Sequence, residues 1–166
     1  MPPRRLVLLL ILMAVTGRSS ATAQIPDEIR FEGRTEMLFS EPLNAFLLQG
    51  SNLDRLRPYL RDRCTGSWRG YQATWEIRGT DLYLVALVTD PCNSTPNSVP
   101  LQQLFPGPTA AVPATWYSGL LVVPLGKRIQ YVHMGYDSRY ERYLIFEVLG
   151  GRVISRKEQD APPPRQ

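Results

Sequence analysis

The chain has 166 residues, and its 43% of apolar side chains is ordinary for a globular protein. Its 19 basic residues outnumber 15 acidic ones, but Arg4, Arg5 and Arg18 lie in the first 23 residues, which contain no acidic residue. Without these three, 16 basic residues face 15 acidic ones. This balance argues against a polyanion-binding surface, so we expect no nucleic acid among the partners.

The N-terminus has the three-part layout of a secretory signal peptide. Arg4 and Arg5 precede the apolar run 6–15, and Ala21-Thr22-Ala23 then matches a cleavage site. The run is shorter than the about 20 residues that a membrane span needs, which disfavours a permanent N-terminal anchor. We predict that residues 1–23 are removed, and that the mature chain has no stable membrane span and is periplasmic or secreted.

The remaining chain has the length of one domain. Residues 24–157 are predicted to form a single globular β-rich domain. Residues 158–166 are polar and proline-rich, which predicts a disordered C-terminal tail.

Helix signals are confined to the first third of the domain. A strand is expected at 34–39, after which Ser40 is a predicted cap for a helix with Pro42 in its first turn and Gly50 at its end. A second short helix is predicted over 52–62, interrupted by a proline.

The stretch "GSWRGYQATWEIRG" alternates with the period of two that is typical of a β-strand. A turn at Gly79-Thr80 and the apolar run 82–88 complete a predicted β-hairpin. One strand face is predicted to lie in the core, and it carries Tyr71, Ala73, Trp75 and Ile77. The opposite face, predicted to be solvated or to line a cleft, carries Trp68, Gln72, Thr74 and Glu76.

The two cysteines lie near the open end of this hairpin. If residue 78 pairs with 81, Cys92 falls opposite Ser67, and Cys64 lies three residues further along. In an exported protein this favours a Cys64–Cys92 disulfide over two buried thiols, with a stabilisation of roughly 3–4 kcal/mol. A metal site is less favoured, because the chain has one histidine, and we expect neither a metal nor a cofactor.

The segment from Pro91 to Pro113 is long for a loop in a compact domain. Residues 98–105 fit one helical turn inside it. Its six prolines favour an ordered cover over one sheet face, and a flexible lid is the alternative.

Further strands are predicted at 115–123, 128–134, 140–148 and 152–156, the last pair joined by Gly150-Gly151. The fold class is therefore mainly β, a β-rich α+β protein. Its antiparallel sheet would form a sandwich or a partly open barrel, with a short N-terminal helical segment.

The segment 131–143 concentrates groups that can carry chemistry. Ser138, His133 and Asp137 could be a nucleophile, base and orienting acid, but no G-x-S-x-G elbow surrounds the serine. The favoured interpretation is a hairpin turn at 135–139. An acid–base site near His133 and Glu141, with Glu76 as a second carboxylate, is the catalytic alternative.

Binding residues are expected near the end of the first hairpin strand and in the 131–143 segment. Arg139 is a candidate because its planar guanidinium can pair with a carboxylate or phosphate. The full set of candidate binding residues is Trp68, Arg69, His133, Tyr136, Arg139 and Glu141.

The blocks "WRGYQATWEI", "GLLVVPLG" and "YVHMGYDSRYE" resemble, in order and spacing, a family of small uncharacterised exported bacterial proteins. The resemblance covers roughly residues 31–150. It implies a bacterial origin and a single domain, and it implies no known activity, substrate or cofactor.

The sequence favours an exported cell-envelope protein that binds an envelope protein or a small ligand. Two alternatives stay open. One is a small periplasmic enzyme that uses the acid–base groups near His133 and Glu141, and the other is an immunity-type inhibitor of a secreted toxin.

Overall fold

The computed structural model describes residues 23–61, 63–107 and 110–162, and strands of one mixed sheet dominate them. The prediction of a mainly β fold is confirmed. The predicted leader, apart from residue 23, and the last four residues of the predicted tail lie outside the described residues. Within the described ranges, no helix is long and apolar enough to cross a membrane.

The sheet follows the order β2-β1-β3-β4-β9-β8-β7, with the short strands β5 and β6 beside β4. The strands are β1 (Asp27–Phe31), β2 (Arg34–Leu38), β3 (Tyr71–Arg78), β4 (Asp81–Thr89), β5 (Asn97–Ser98), β6 (Val112–Pro113), β7 (Gly119–Gln130), β8 (Arg139–Leu149) and β9 (Arg152–Gln159). The helices are α1 (Pro42–Leu47) and α2 (Asn52–Leu56), with 3₁₀ turns at Arg57–Tyr59 and Leu101–Gln103.

Strand β1 was not predicted, and it makes the sheet mixed. It forms a hairpin with β2 through Glu32 and Gly33, both of which adopt positive φ, as a tight hairpin turn requires. Its other edge pairs in parallel with β3, so that Ile29 lies opposite Trp75. The parallel pair depends on contacts between distant residues, and local alternation cannot reveal it.

The β3–β4 hairpin has the predicted register, with Arg78 opposite Asp81. A bulge between Thr74 and Trp75 shifts the pairing by one residue toward the open end. The predicted core face is confirmed at Tyr71 and Trp75, which are 3% and 0% exposed. The predicted disulfide is also present.

The Cys64–Cys92 disulfide joins Cα atoms 6.5 Å apart, across 28 residues of chain. Cys64 is the first residue of a tight turn, residues 64–70, which we call the disulfide turn. Cys64 and Ser67 form a bridge within this turn. Trp68 therefore lies in the turn, before β3 begins at Tyr71.

The prediction of two separate strands, at 115–123 and 128–134, is wrong. A single strand, β7, runs from Gly119 to Gln130. Irregular pairing between Leu125 and Gln130 bends β7 without ending it. Gly126 lies at this bend with φ of 75°, and a Cβ there would collide with the Glu141 carboxylate. Residues 131–138 form the loop that leads into β8.

Ser40 is not a helix cap, contrary to prediction, because its hydroxyl bonds to β7. Its Oγ donates to the Leu120 carbonyl at 2.8 Å and accepts the Val122 N–H at 3.0 Å. The residue before α1 is Glu41, which makes no side-chain cap. These bonds bring β2 and β7, the two ends of the strand order, close together without closing the sheet.

The core lies between the curved sheet, α1 and the proline-rich segment. Val99, Leu101, Leu104 and Phe105 of that segment are buried, and the Phe105 ring stacks on Trp116 at 5.2 Å. The described part of the segment thus packs onto the core with these four side chains.

We expect Trp75→Ala to lower the free energy of unfolding by about 3–5 kcal/mol, the usual cost of deleting a buried large aromatic side chain. Trp68→Ala is the matched control, because this ring is 63% exposed. It should cost less than about 1 kcal/mol in a urea titration. Equal losses in the two variants would contradict this assignment of buried and exposed rings.

Candidate functional site

Asp27, the first residue of β1, is a carboxylate at the centre of the molecule, with 0% exposure. Because β1 lies beside β3, the carboxylate oxygens of Asp27 accept the Ala73 N–H at 3.1 Å and the Trp75 Nε1–H at 3.0 Å. Arg69 Nη1 donates to it at 3.0 Å. Burial raises the pKa of Asp27, and Arg69 and the two N–H donors oppose that rise. All three contacts come from donors, so this geometry satisfies the ionised carboxylate.

Arg69 comes from the disulfide turn, and its side chain is 12% exposed. Beyond Asp27, its guanidinium donates to the Ile25 carbonyl at 3.3 Å and lies 3.3 Å from Glu41 Oε1. It also stacks over the Tyr71 ring, with Cζ 4.7 Å from the centroid. Burial alone would lower the pKa of Arg69, but Asp27 and the surrounding oxygens raise it above its usual value. Arg69 is therefore a permanently charged tie between the disulfide turn and β1.

Tyr136 extends this network to the 131–138 loop. Its hydroxyl accepts a hydrogen bond from Arg69 Nη2 at 3.1 Å and donates to Glu41 Oε1 at 3.0 Å. Its ring stacks on Phe39 with centroids 5.1 Å apart. Burial raises the pKa of Tyr136 above its usual value, so the hydroxyl stays protonated at neutral pH.

Glu41 and Asn44 connect the network to α1. The Asn44 amide donates to Glu41 Oε2, and the Tyr71 hydroxyl donates to Asn44 Oδ1 at 2.5 Å. Burial also raises the pKa of Tyr71. The network therefore joins β1, β3, α1, the disulfide turn and the 131–138 loop. We call it the Arg69 network, and it consists of Asp27, Glu41, Asn44, Arg69, Tyr71, Trp75 and Tyr136.

Gln24 joins the disulfide turn to the 131–138 loop a second time. Its backbone N–H donates to the Gly135 carbonyl at 3.2 Å. Its side chain accepts the Trp68 N–H at 3.0 Å and donates to the Thr65 carbonyl at 3.2 Å. The two segments are thus held side by side by a buried network and by this bridge.

Both segments also carry large exposed side chains. Trp68 is 63% exposed, Tyr131 43% and Met134 59%. His133 is exposed too, and its ring meets the edge of Tyr131 with centroids 4.5 Å apart. We call these four side chains the loop surface.

The structure brings four of the six predicted binding residues to this region. Trp68 and His133 are outside, whereas Arg69 and Tyr136 are engaged in the network beneath. Arg139 begins β8 opposite Gln130. Contact between a ligand and any of these six residues remains a prediction.

Three candidate catalytic groups, Glu141, Glu76 and Ser138, interact with other residues of the chain. Glu141 Oε2 accepts the Lys127 N–H at 2.9 Å. Glu76 lies 2.7 Å from Arg78 Nη2, and that hydrogen bond lowers the pKa of Glu76. Ser138 is buried, and its Oγ accepts the Val132 N–H at 3.1 Å, which is turn chemistry.

Sequence reasoning missed Gln24, Asp27, Glu41 and Asn44. A signal for β1 was present, because Ile29 and Phe31 alternate just before the Glu32-Gly33 turn. No local signal pairs Asp27 with Arg69, which lies 42 residues away.

Two concave sites in the described part of the chain are not lined by the loop surface. A cleft of about 450 Å³ opens at the β8–β9 turn, between Asp81, Tyr83, Thr115 and Arg152. A smaller one of about 320 Å³ borders the disulfide beside Arg63 and Asp90. In the part of the chain that the structure describes, no group of three His, Cys, Asp or Glu residues could hold a metal ion.

No protein-family model, curated protein or solved structure matches the chain. The resemblance to the family of small exported bacterial proteins is therefore neither supported nor opposed, and it stays a prediction.

We expect Arg69→Met to lower the free energy of unfolding by about 3–5 kcal/mol, because it leaves Asp27 buried without its cation. Asp27→Asn combined with Arg69→Met should cost less than the two single changes summed, since residue 27 is then no longer a buried charge without its cation. Urea unfolding of the four proteins in this cycle measures the coupling.

Arg34→Met is the matched control for that cycle, because Arg34 pairs with Glu32 at the surface. It should change the free energy of unfolding by less than about 1 kcal/mol. Strict additivity of the Asp27 and Arg69 changes would show that the buried pair is not coupled.

Proposed function

We propose that the protein is exported by a bacterium and works in the cell envelope as a binding module, with the loop surface as its contact region. The observation that carries the proposal is that the Arg69 network joins the disulfide turn to the 131–138 loop, while both segments carry large exposed side chains. A binding surface on loops needs such support, because loops that a rigid scaffold holds lose less conformational entropy when they bind.

Export is supported by two independent features. The first 23 residues have the pattern of a cleavable leader. The Cys64–Cys92 disulfide belongs to oxidising compartments such as the periplasm, since cytosolic thiols are kept reduced.

Contact through the loop surface is supported by composition and exposure. Trp, Tyr and Met are enriched in interfaces, and Trp and Tyr bury a large area at low conformational-entropy cost. Trp68 is held at both ends of its turn, by the disulfide and by Arg69, and so remains exposed without being free to collapse onto the core.

The export part predicts that the mature protein begins at Gln24. Intact mass of periplasmic protein, before and after reduction, should fit removal of residues 1–23 and one disulfide. A full-length N-terminus, or two thiols that alkylate without reduction, would oppose export in this form.

The binding part predicts that a photo-crosslinking amino acid at Trp68 forms an adduct with an envelope component in the producing cell. The matched control is the same amino acid at Ile154, which is 54% exposed on β9. Adducts at Trp68 alone are expected. Equal yields at both positions, or none at Trp68, would contradict the assignment of the surface and point to the cleft at the β8–β9 turn.

A further inference from the structure

The β7–β8 hairpin extends beyond the rest of the sheet. Strand β9 ends opposite Tyr143, so that residues 139–142 of β8 pair with β7 alone. Residues 126–130 of β7 are all exposed. We call residues 126–142 the hairpin arm. The arm is bent at Gly126, and its tip is held beside Trp68 by Tyr136 and Gln24.

The arm and Trp68 concentrate exposed apolar side chains. Nine large apolar side chains are exposed within the described ranges, and four lie here: Trp68, Ile129, Tyr131 and Met134. Ile129 and Met134 are 60% and 59% exposed. Side chains of this size seldom collect on one tip of a monomer without a partner.

The arm is also basic. It carries four basic residues against two acidic ones. Arg142 pairs with Glu158, whereas Glu141 accepts the neutral Lys127 N–H and keeps its negative charge. The exposed cations outside that ion pair are Lys127, Arg128 and Arg139, and the Arg128 guanidinium lies over the Tyr131 ring, 4.7 Å from its centroid.

We propose that the hairpin arm and Trp68 dock on an anionic phospholipid surface. Tryptophan and tyrosine favour the interface of a bilayer, where an apolar ring and a polar edge are both satisfied. Lys and Arg beside them are attracted to anionic head groups, and Ile129 and Met134 can enter the acyl boundary. The inference rests on the proposed function, because it names the partner class of the same surface.

The shape of the site favours a lipid surface over an acidic protein. The apolar side chains are exposed on the hairpin arm and the disulfide turn, and they line neither of the two clefts described above. A stable protein interface needs about 800 Å² from each partner with matched shape, whereas a fluid bilayer adapts to a small set of exposed side chains. Shallow docking by a few side chains is the mode that this geometry fits.

The test is binding of the mature protein to vesicles of phosphatidylglycerol and phosphatidylcholine in equal parts, compared with phosphatidylcholine alone. Co-sedimentation should show at least about tenfold tighter binding to the anionic vesicles. Tryptophan emission should shift to the blue as Trp68 leaves water. Binding should weaken in about 0.5 M NaCl, which screens the cations.

Two variants separate the apolar and ionic contributions. Ile129→Ser with Met134→Ser, and separately Arg128→Glu, should each weaken binding about tenfold. Leu149→Ser is the matched control, because this side chain is 62% exposed at the other end of β8, about 30 Å away along the strand. Unchanged circular dichroism establishes that each variant is folded.

Equal binding to the two kinds of vesicle, no binding to either, or equal weakening by Leu149→Ser would overturn the lipid proposal. A protein adduct at Trp68 in the cell together with no vesicle binding would also overturn it and would leave the binding-module function standing. Anionic-vesicle binding that needs Ile129 and Arg128 supports it even where no protein adduct forms.

Discussion

The buried ion pair between Asp27 and Arg69 is the interaction on which the arrangement of this surface depends. A carboxylate taken fully out of water is stable only when its charge and lone pairs are matched. Here Arg69, Trp75 Nε1 and the Ala73 N–H match it. These contacts hold β1 against β3, and they hold the disulfide turn against both strands.

The Arg69 guanidinium also positions elements other than β1 and β3. Arg69 also contacts Glu41 and Tyr136, so that α1 and the 131–138 loop are positioned by one side chain. The disulfide fixes the other end of the turn. Trp68 lies between these two restraints, which is why an exposed indole can be presented in a defined place.

Local patterns predicted the parts of the fold that depend on near neighbours in sequence. Alternation and the Gly79-Thr80 turn were enough for the β3–β4 hairpin and its buried face, and the Cys64–Cys92 pairing followed from the hairpin register together with the predicted export. The parallel β1–β3 pair and the Ser40 contact with β7 were not predictable, since each joins residues tens of positions apart. The unbroken strand β7 was missed because its bend at Gly126 resembles a turn in sequence. In the candidate site, Arg69 and Tyr136 were predicted to be surface contacts. Only the structure reveals the carboxylates with which they form hydrogen bonds and ion pairs.

The most direct test of this account is hydrogen exchange in an Arg69→Lys variant. Lysine keeps the charge beside Asp27 but lacks the planar fork that also reaches Glu41 and Tyr136. The account predicts exchange faster by about tenfold or more in both the disulfide turn and the 131–138 loop, with residues 143–149 of β8 unchanged. If exchange in the 131–138 loop stays at the wild-type rate, Arg69 does not hold that loop, and the central claim is wrong.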